Sequence, residues 1–409
     1  MPEQKEYTRP LSPYQKLLIV VFVLMLFTIV VDYMTLPALS AILLPDLNIS
    51  TKEFGFIVSA YGVSAGISAF LATGFSDRFD RKKMLLVYYS GFLVGMVLCA
   101  NANSFTTLII ARIITGSFGG VVAAICFAIV ADLFQSDQKG RVMGYIHMAF
   151  AASLVLGLPL ALYLANTFHW HFTYWLFLGF GSIVLLTIAL KIKPINAHLS
   201  TAKHEKVLKH SLQIAKNKNY WIVFLNNIFL VLGDTLYMTF GSAYSTNNLG
   251  VSLDNLPILY GVGGLATIVL SPFIGQLSDK FGKLKVFTTA TLIAILLVAI
   301  YSNLESVPFG IVLFIHTLLF IGINGRMIAS TAIATDIPNQ QDRGAFMALD
   351  SSFQQLAGGV AATAAGWIVY QAADGIIHGY PNLGWTVIAI MFITIILMFA
   401  IHRIIQQKS

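Results

Sequence analysis

Twelve unbroken apolar runs dominate the chain, near residues 17–44, 54–75, 84–101, 105–133, 142–165, 172–192, 220–246, 257–275, 284–303, 308–333, 344–371 and 383–404. Each is close to or above the ~18–20 residues that cross a hydrocarbon core as a helix. They are continuous rather than alternating with period two, and each is about twice the ~10 residues of a membrane barrel strand, so the pattern predicts helices. The expected fold class is all-α and membrane-integral. Lys, His, Asn and Pro194 interrupt the pattern at 193–219 and set six runs against six. This predicts an N-terminal six-helix unit over 1–192, a cytoplasmic linker over 193–219 and a C-terminal six-helix unit over 220–409. Inside the linker, Leu199 to Ala215 reads as a short amphipathic helix lying on the inner leaflet, its lysines meeting anionic lipid.

Composition agrees with the pattern. Of 409 residues, 57% are hydrophobic and 11% charged, against roughly 25% charged in a soluble domain. Basic residues predict the orientation. The N-terminal tail, every second loop and the C-terminal end hold Lys5, Arg9, Lys16, Arg78, Arg81, Lys82, Lys83, Lys139, Arg141, the linker lysines, Lys280, Lys283, Lys285, Arg343, Arg403 and Lys408, whereas the opposite loops hold only Lys52. By the positive-inside rule both termini are expected in the cytoplasm of a plasma membrane, the bacterial inner membrane in particular. The net charge of +7 is then a topology signal and not a nucleic-acid footprint. Cys99 and Cys126 fall inside predicted spans as packing residues and give no disulfide framework. The first run contains Asp32 and lacks a small-residue cleavage pattern, so it is expected to be retained.

The two units are copies. A shift of 202 residues carries Asp32 onto Asp234 and Asp77 onto Asp279, aligning VVDYMTLPALS with LGDTLYMTFGS and SDRFDRK with SDKFGKL. A shift of 204 carries Asp132 onto Asp336 and Met143 onto Met347. With six spans per copy the orientation is preserved, which predicts parallel repeats about an axis along the membrane normal.

The segment GQLSDKFGK at 275–283 resembles the G-x-L-x-D-x-x-G-[RK] loop of the major facilitator superfamily, and SDRFDRKK at 76–83 is its first-half counterpart. That copy departs from the pattern, with Thr73 and Asp80 at the two glycine positions. ARIITG, with Arg112 and Gly116, is similar to the R-x-x-x-G motif of the proton-coupled antiporters, and LGLPLA around Pro159 partly resembles their fifth-span motif. The resemblance covers essentially the whole chain and looks most like the twelve-helix multidrug and sugar efflux families. It implies two pseudo-symmetric bundles that rock about a midplane site, with spans 1, 4, 7 and 10 lining the cavity. It supports a cytoplasmic gate in which Asp77 accepts from the N-terminus of span 11 near Arg343 and Arg81 reaches Asp132, with Asp279, Lys283 and Asp336 as the second copy.

Intramembrane charge marks the candidate site, because such residues are expensive to bury. At ~1.5 Å per residue, Asp32, Asp234 and Arg112 all fall about 20 Å from the cytoplasmic face, and Arg326 about 15 Å. Two accounts stay open for them. Asp32 with Arg112, and Asp234 with Arg326 or His316, simply neutralise one another. Alternatively, Asp32, Arg112 and Asp234 couple protons, since a carboxylate in a partly dry cavity favours its proton and a neighbouring arginine opposes it. Arg326 maps onto Val122 and Arg112 onto His316 under the 204 shift, so the unmatched bases point to solute recognition. Asn227 and Tyr237 share a face with Asp234. Tyr33, Tyr61, Tyr145 and Tyr260 are aromatic candidates, and Gln354, Gln355 and Asp350 make span 11 unusually polar, Asp350 standing near the inner gate. The expected function is proton-coupled efflux of a small organic solute by a monomer, with no cofactor beyond the proton gradient and with membrane lipid as its surroundings. Import of an organic anion, a lysolipid-like substrate, or a non-transporting receptor are the alternatives. A membrane enzyme is disfavoured because no metal-ligand cluster or nucleophile–base pair is spaced for it.

Overall fold

The computed structural model describes residues 10–72, 79–196, 199, 213–334, 337–339 and 342–408. Among the described residues, twelve long helices account for the apolar runs. They are α1 (Pro13–Ala38), α2 (Thr51–Ala72), α3 (Arg81–Ala100), α4 (Phe105–Leu133), α5 (Ser136–Ala152, continuing through Ser153–Gly157 to Leu158–Thr167) and α6 (Trp170–Lys191), then α7 (Lys218–Met238), α8 (Leu256–Phe281), α9 (Lys283–Ser302), α10 (Phe309–Ala334), α11 (Arg343–Ile368) and α12 (Tyr380–Lys408). Helices satisfy every backbone group internally, which a bilayer demands. Eleven are long and apolar enough to cross a membrane by length and composition. The exception is α11, whose 26 residues are long enough but carry Asp350, Gln354 and Gln355. Their starts are written locally. Ser12 and Gln15 cap α1 reciprocally with Pro13 at its first position, and Ser104 and Thr107 do the same for α4.

The run expected as one helix over 17–44 is broken. Leu39 ends α1 and a short helix, Ser40–Asp46, follows; α7 repeats the device with Gly241–Asn247. Between α11 and α12 the chain forms a two-stranded antiparallel ribbon, Tyr370–Gln371 with Ile377–His378, and the Asn248 side chain bonds the Ile377 backbone twice, at 2.9 and 3.0 Å. Most of the predicted linker helix, Leu199 to Ala215, lies outside the described residues.

Packing repeats between the halves. The pairs α2/α4, α3/α4 and α3/α6 of the first bundle recur as α8/α10, α9/α10 and α9/α12 of the second. The bundles meet along two seams, α2 with α11 and α5 with α8. Small residues allow the first. A Cβ on Gly62 would lie 2.8 Å from the Gly359 nitrogen, and one on Gly366 would lie 2.5 Å from the Thr51 carbonyl oxygen. Along the second seam Gly261 faces Pro159 and Gly264 faces Leu154, while Gly144 of α5 and Gly275 of α8, nearer the termini, have no neighbour within 4 Å. The halves are therefore sealed at the end remote from the termini and part between α5 and α8 at the terminal end.

On the repeat axis the seal is symmetric. Ser40 Oγ and Ser242 Oγ lie 2.8 Å apart, the Ala41 N–H donates to Ser242 Oγ at 3.3 Å, and the Ala243 N–H donates to Ser40 Oγ at 3.2 Å. These residues are related by the same 202-residue shift that joins Asp32 to Asp234.

Candidate functional site

The intramembrane charges are paired within each half. Arg112 Nη1 of α4 donates to Asp32 Oδ2 of α1 at 2.8 Å, with both side chains no more than 1% exposed. Arg326 of α10 pairs with Asp234 of α7 through Nη2 and Oδ1. Taking such charges out of water costs several kcal/mol per ion, and only close pairing offsets it. The pairing is incomplete at the level of atoms. Asp32 Oδ1, Arg112 Nε, and Arg326 Nε and Nη1 are buried without a hydrogen-bond partner.

Tyrosines join the pairs. The Arg112 guanidinium lies 4.5 Å from the centre of the Tyr61 ring, a cation–π contact. One turn along α4, a Cβ on Gly116 would fall 2.5 Å from the Tyr61 carbonyl oxygen. This gives the Arg-x-x-x-Gly spacing its reason, because the glycine brings α4 onto α2 at the residue the arginine covers. Tyr33 packs on Tyr61 with ring centres 5.4 Å apart, and its hydroxyl, like that of Thr235, would lie 3.5 Å from a Cβ on Gly358 of α11. Thr235 is its own repeat mate, so equivalent positions of the two halves both stand beside Gly358.

Other candidates lie elsewhere. His316 and Tyr237 do not face the ion pairs. They line a closed aromatic box with Tyr260, Tyr301 and Tyr380 that encloses about 10 Å³, room for one water. His316 packs against Phe320 with ring centres 4.6 Å apart, which leaves Arg326 as the base for Asp234. Asn227 and Gln354 turn to a third carboxylate. Asn227 Nδ2 donates to both oxygens of Asp350, at 3.0 and 2.9 Å, and Gln354 Nε2 donates at 2.7 Å. Asp350 is thus enclosed inside the second bundle, 5% exposed. Tyr145 is exposed on α5.

Of the gate residues, Asp77 and Asp336 lie outside the described residues. Arg81 Nε reaches Asp132 Oδ2 at 3.3 Å. Lys283 Nζ donates to the Ala332 carbonyl at 3.0 Å, Asp279 is exposed, and Arg343 begins α11. The odd residue of the first loop has a local role. Asp80, at φ −58°, caps α3 by accepting from Lys83 N–H at 3.1 Å, whereas its repeat mate Gly282 sits at φ +95°.

Sequence reasoning did not single out Asn226, Ser330, Thr235, Ser40 or Ser242. The 202-residue shift pairs Ser40 with Ser242 directly, so that signal was available.

A paired bundle of this topology with buried charge on helices 1, 4, 7 and 10 defines a secondary-transporter architecture. The Major Facilitator Superfamily model matches residues 21–362 and 223–406, and the chain belongs to that superfamily. It is 25% identical over 390 residues to the uncharacterised MFS-type transporter YwfA of Bacillus subtilis, covering 90% of this chain and 89% of that one. It is 22% identical over 346 residues to Multidrug resistance protein 2 of the same organism, covering 82% and 84%. Among solved structures, an inward-facing bacterial homologue of the human lysosomal transporter Spinster superposes with a TM-score of 0.76 at 13% identity, covering 96% and 98%. The nucleoside transporter NupG, in a point-mutant form, superposes at 0.73 and 14%, covering 94% and 99%. The protein is a multi-pass membrane protein of a transporter family with a small-molecule solute.

Proposed function

We propose that this chain exports a small amphipathic organic solute in exchange for protons, by rocking its halves about the layer of Asp32, Arg112, Asp234 and Arg326. The observation that carries the reading is a pair of buried acid–base contacts, one per half, that leaves guanidinium N–H groups unpartnered. A structural pair would be expected to use its donors fully, whereas spare donors suit a passing acceptor group on a solute. The free Nε and Nη1 of Arg326 favour a solute with a carboxylate or carbonyl at one end. The apolar walls and Tyr33 suit an aromatic or aliphatic remainder. Similarity to Multidrug resistance protein 2 supports export over import. With the termini in the cytoplasm, the sealed remote end is extracytoplasmic and the conformation is inward-open, the state in which an exporter loads.

Full-length protein in proteoliposomes under an imposed pH gradient tests this. Ethidium, an aromatic carboxylate and lysophosphatidylcholine serve as probes of three solute classes. Gradient-driven movement of one of them, with matching proton counterflow reported by an entrapped pH dye, is expected. Movement of a probe with no proton counterflow overturns the coupling, and movement of none at any pH favours a non-transporting receptor.

A further inference from the structure

Asp32 and Asp234 are each held by an arginine, but the third buried carboxylate is not. Asp350 receives only neutral amides, from Asn227 and Gln354. The groups bonded to it are Asn227 of α7 and Gln354 of its own helix, and Asn226 of α7 and Ser330 of α10 stand behind Asn227. No lysine, arginine or histidine is ion-paired to it among the described residues, and no ionisable group contributes to its electrostatics. The same stretches of α7, α10 and α11 carry Val223, Leu230, Ala329, Phe346 and Leu349, which form one buried apolar cluster. A bare carboxylate in such a place is costly, and the simplest way to remove the charge is to bind a proton.

The repeat shows that the fold does not need this cluster. Under the 202 and 204 shifts Asn226, Asn227, Ser330, Asp350 and Gln354 map onto Leu24, Met25, Cys126, Ile146 and Phe150. Five polar positions of one half are apolar in the other, at the same places in the same architecture. Polarity here therefore serves something that only the second half does.

The network is also built to change state. Asn227 Oδ1 accepts from Asn226 Nδ2 and from Ser330 Oγ, both at 3.4 Å, and Asn226 Nδ2 donates to Ser330 Oγ at 2.9 Å. An ionised Asp350 accepts only, so it requires the Asn227 NH2 to face it. A protonated Asp350 donates one O–H and is best met by a carboxamide oxygen, which Asn227 or Gln354 presents by turning over. If Asn227 turns, Ser330 Oγ no longer donates to its Oδ1 and must accept from its NH2 instead. Ser330 stands one turn from Arg326 on α10, and Asn227 two turns from Asp234 on α7. The proton would thus change the Asn227–Ser330 contact between α7 and α10, while the Asn226–Ser330 hydrogen bond and the Asp234–Arg326 pair continue to tie those helices.

We propose that Asp350 is the carboxylate that takes up and releases the coupling proton, with Asn227 and Gln354 as the amides that accommodate both of its states. The step is a simple transfer, in which an O–H bond forms on one carboxyl oxygen as hydronium becomes water. The proposal rests on the proton-coupled reading above, but its test does not measure transport. A sodium ion is disfavoured because the groups turned to the carboxylate are N–H donors rather than oxygens.

Infrared difference spectroscopy of the full-length protein in lipid, titrated from alkaline to mildly acidic pH, reads the carbonyl stretch of a protonated carboxylic acid directly. Wild type is expected to gain such a band as pH falls. Asp350→Asn should lose it, Asp350→Glu should keep it at a displaced frequency, and Asp32→Asn should leave it in place, each variant checked for monodisperse elution. A band that survives in Asp350→Asn, or vanishes in Asp32→Asn, overturns the assignment. So does wild type with no titrating band, or a band that sodium removes at constant pH. A chain that protonates Asp350 but moves none of the three probes would refute the exporter reading and leave this site standing.

Discussion

Asp32 and Arg112 show how little tolerance a buried pair has for losing one member. With both side chains out of solvent and 2.8 Å apart, Asp32→Ala leaves a guanidinium uncompensated, and about 3–5 kcal/mol of stability should go with it. The double variant Asp32→Leu, Arg112→Met removes both charges and should recover most of that loss while abolishing solute movement. Thermal unfolding of the purified proteins checks this, and a double variant no more stable than the single would show that the pair is not energetically coupled. The acids were legible in the sequence because a charge inside an apolar run is conspicuous and the repeat places it twice. Their partners were less so. Arg326 and His316 stand ten residues apart on one helix, and the choice between them was made by aromatic packing around His316, which depends on chain segments remote in sequence. The surroundings of Asp350 were hidden for a related reason, since its distance from the helix end says nothing about the two amides that enclose it.

Helix seams translate such local contacts into a moving interface. Gly62 meets α11 where a Cβ would touch the Gly359 nitrogen at 2.8 Å and the Gln355 carbonyl oxygen at 2.9 Å, and backbone atoms cannot yield as a flexible side chain does. Gly62→Val should therefore cost about 1–3 kcal/mol as an overpacked contact and open the remote end. Spin labels at Asn103→Cys and Asp374→Cys, exposed on opposite halves, should report a longer separation in the variant; an unchanged distance would mean that the seam does not set the state. Cys99 and Cys126 are buried and leave the labelling clean. The α5–α8 seam has a different device. Pro159 lacks an N–H and crowds the carbonyl four residues earlier, and α5 widens into a π-turn over Ser153–Gly157 just before it. Ser153 Oγ donates to the Phe27 carbonyl of α1 at 3.2 Å, so the irregular turn rests on the helix that carries Asp32. The glycines and the proline could be read from the chain as close-contact signals, but the π-turn could not, because it is a response to the neighbours rather than a propensity.

The whole molecule turns on its repeat axis, where residues 202 apart in sequence touch. Alternating access requires that contacts across the remote end exchange for contacts at the terminal end. The Ser40–Ser242 bridge is fully buried, with backbone N–H groups crossing in both directions. Its geometry allows a direct test, because two oxygens 2.8 Å apart need only a small approach to become a disulfide of about 2.05 Å. The double variant Ser40→Cys, Ser242→Cys should form that bond under oxidant and hold the remote end shut. Movement of the active probe in proteoliposomes should then stop, return with dithiothreitol, and remain unaffected in either single cysteine variant. Undiminished movement through a protein shown by mass to be cross-linked would mean that the remote end never opens, and the two halves would not be rocking about the axis that their sequences share.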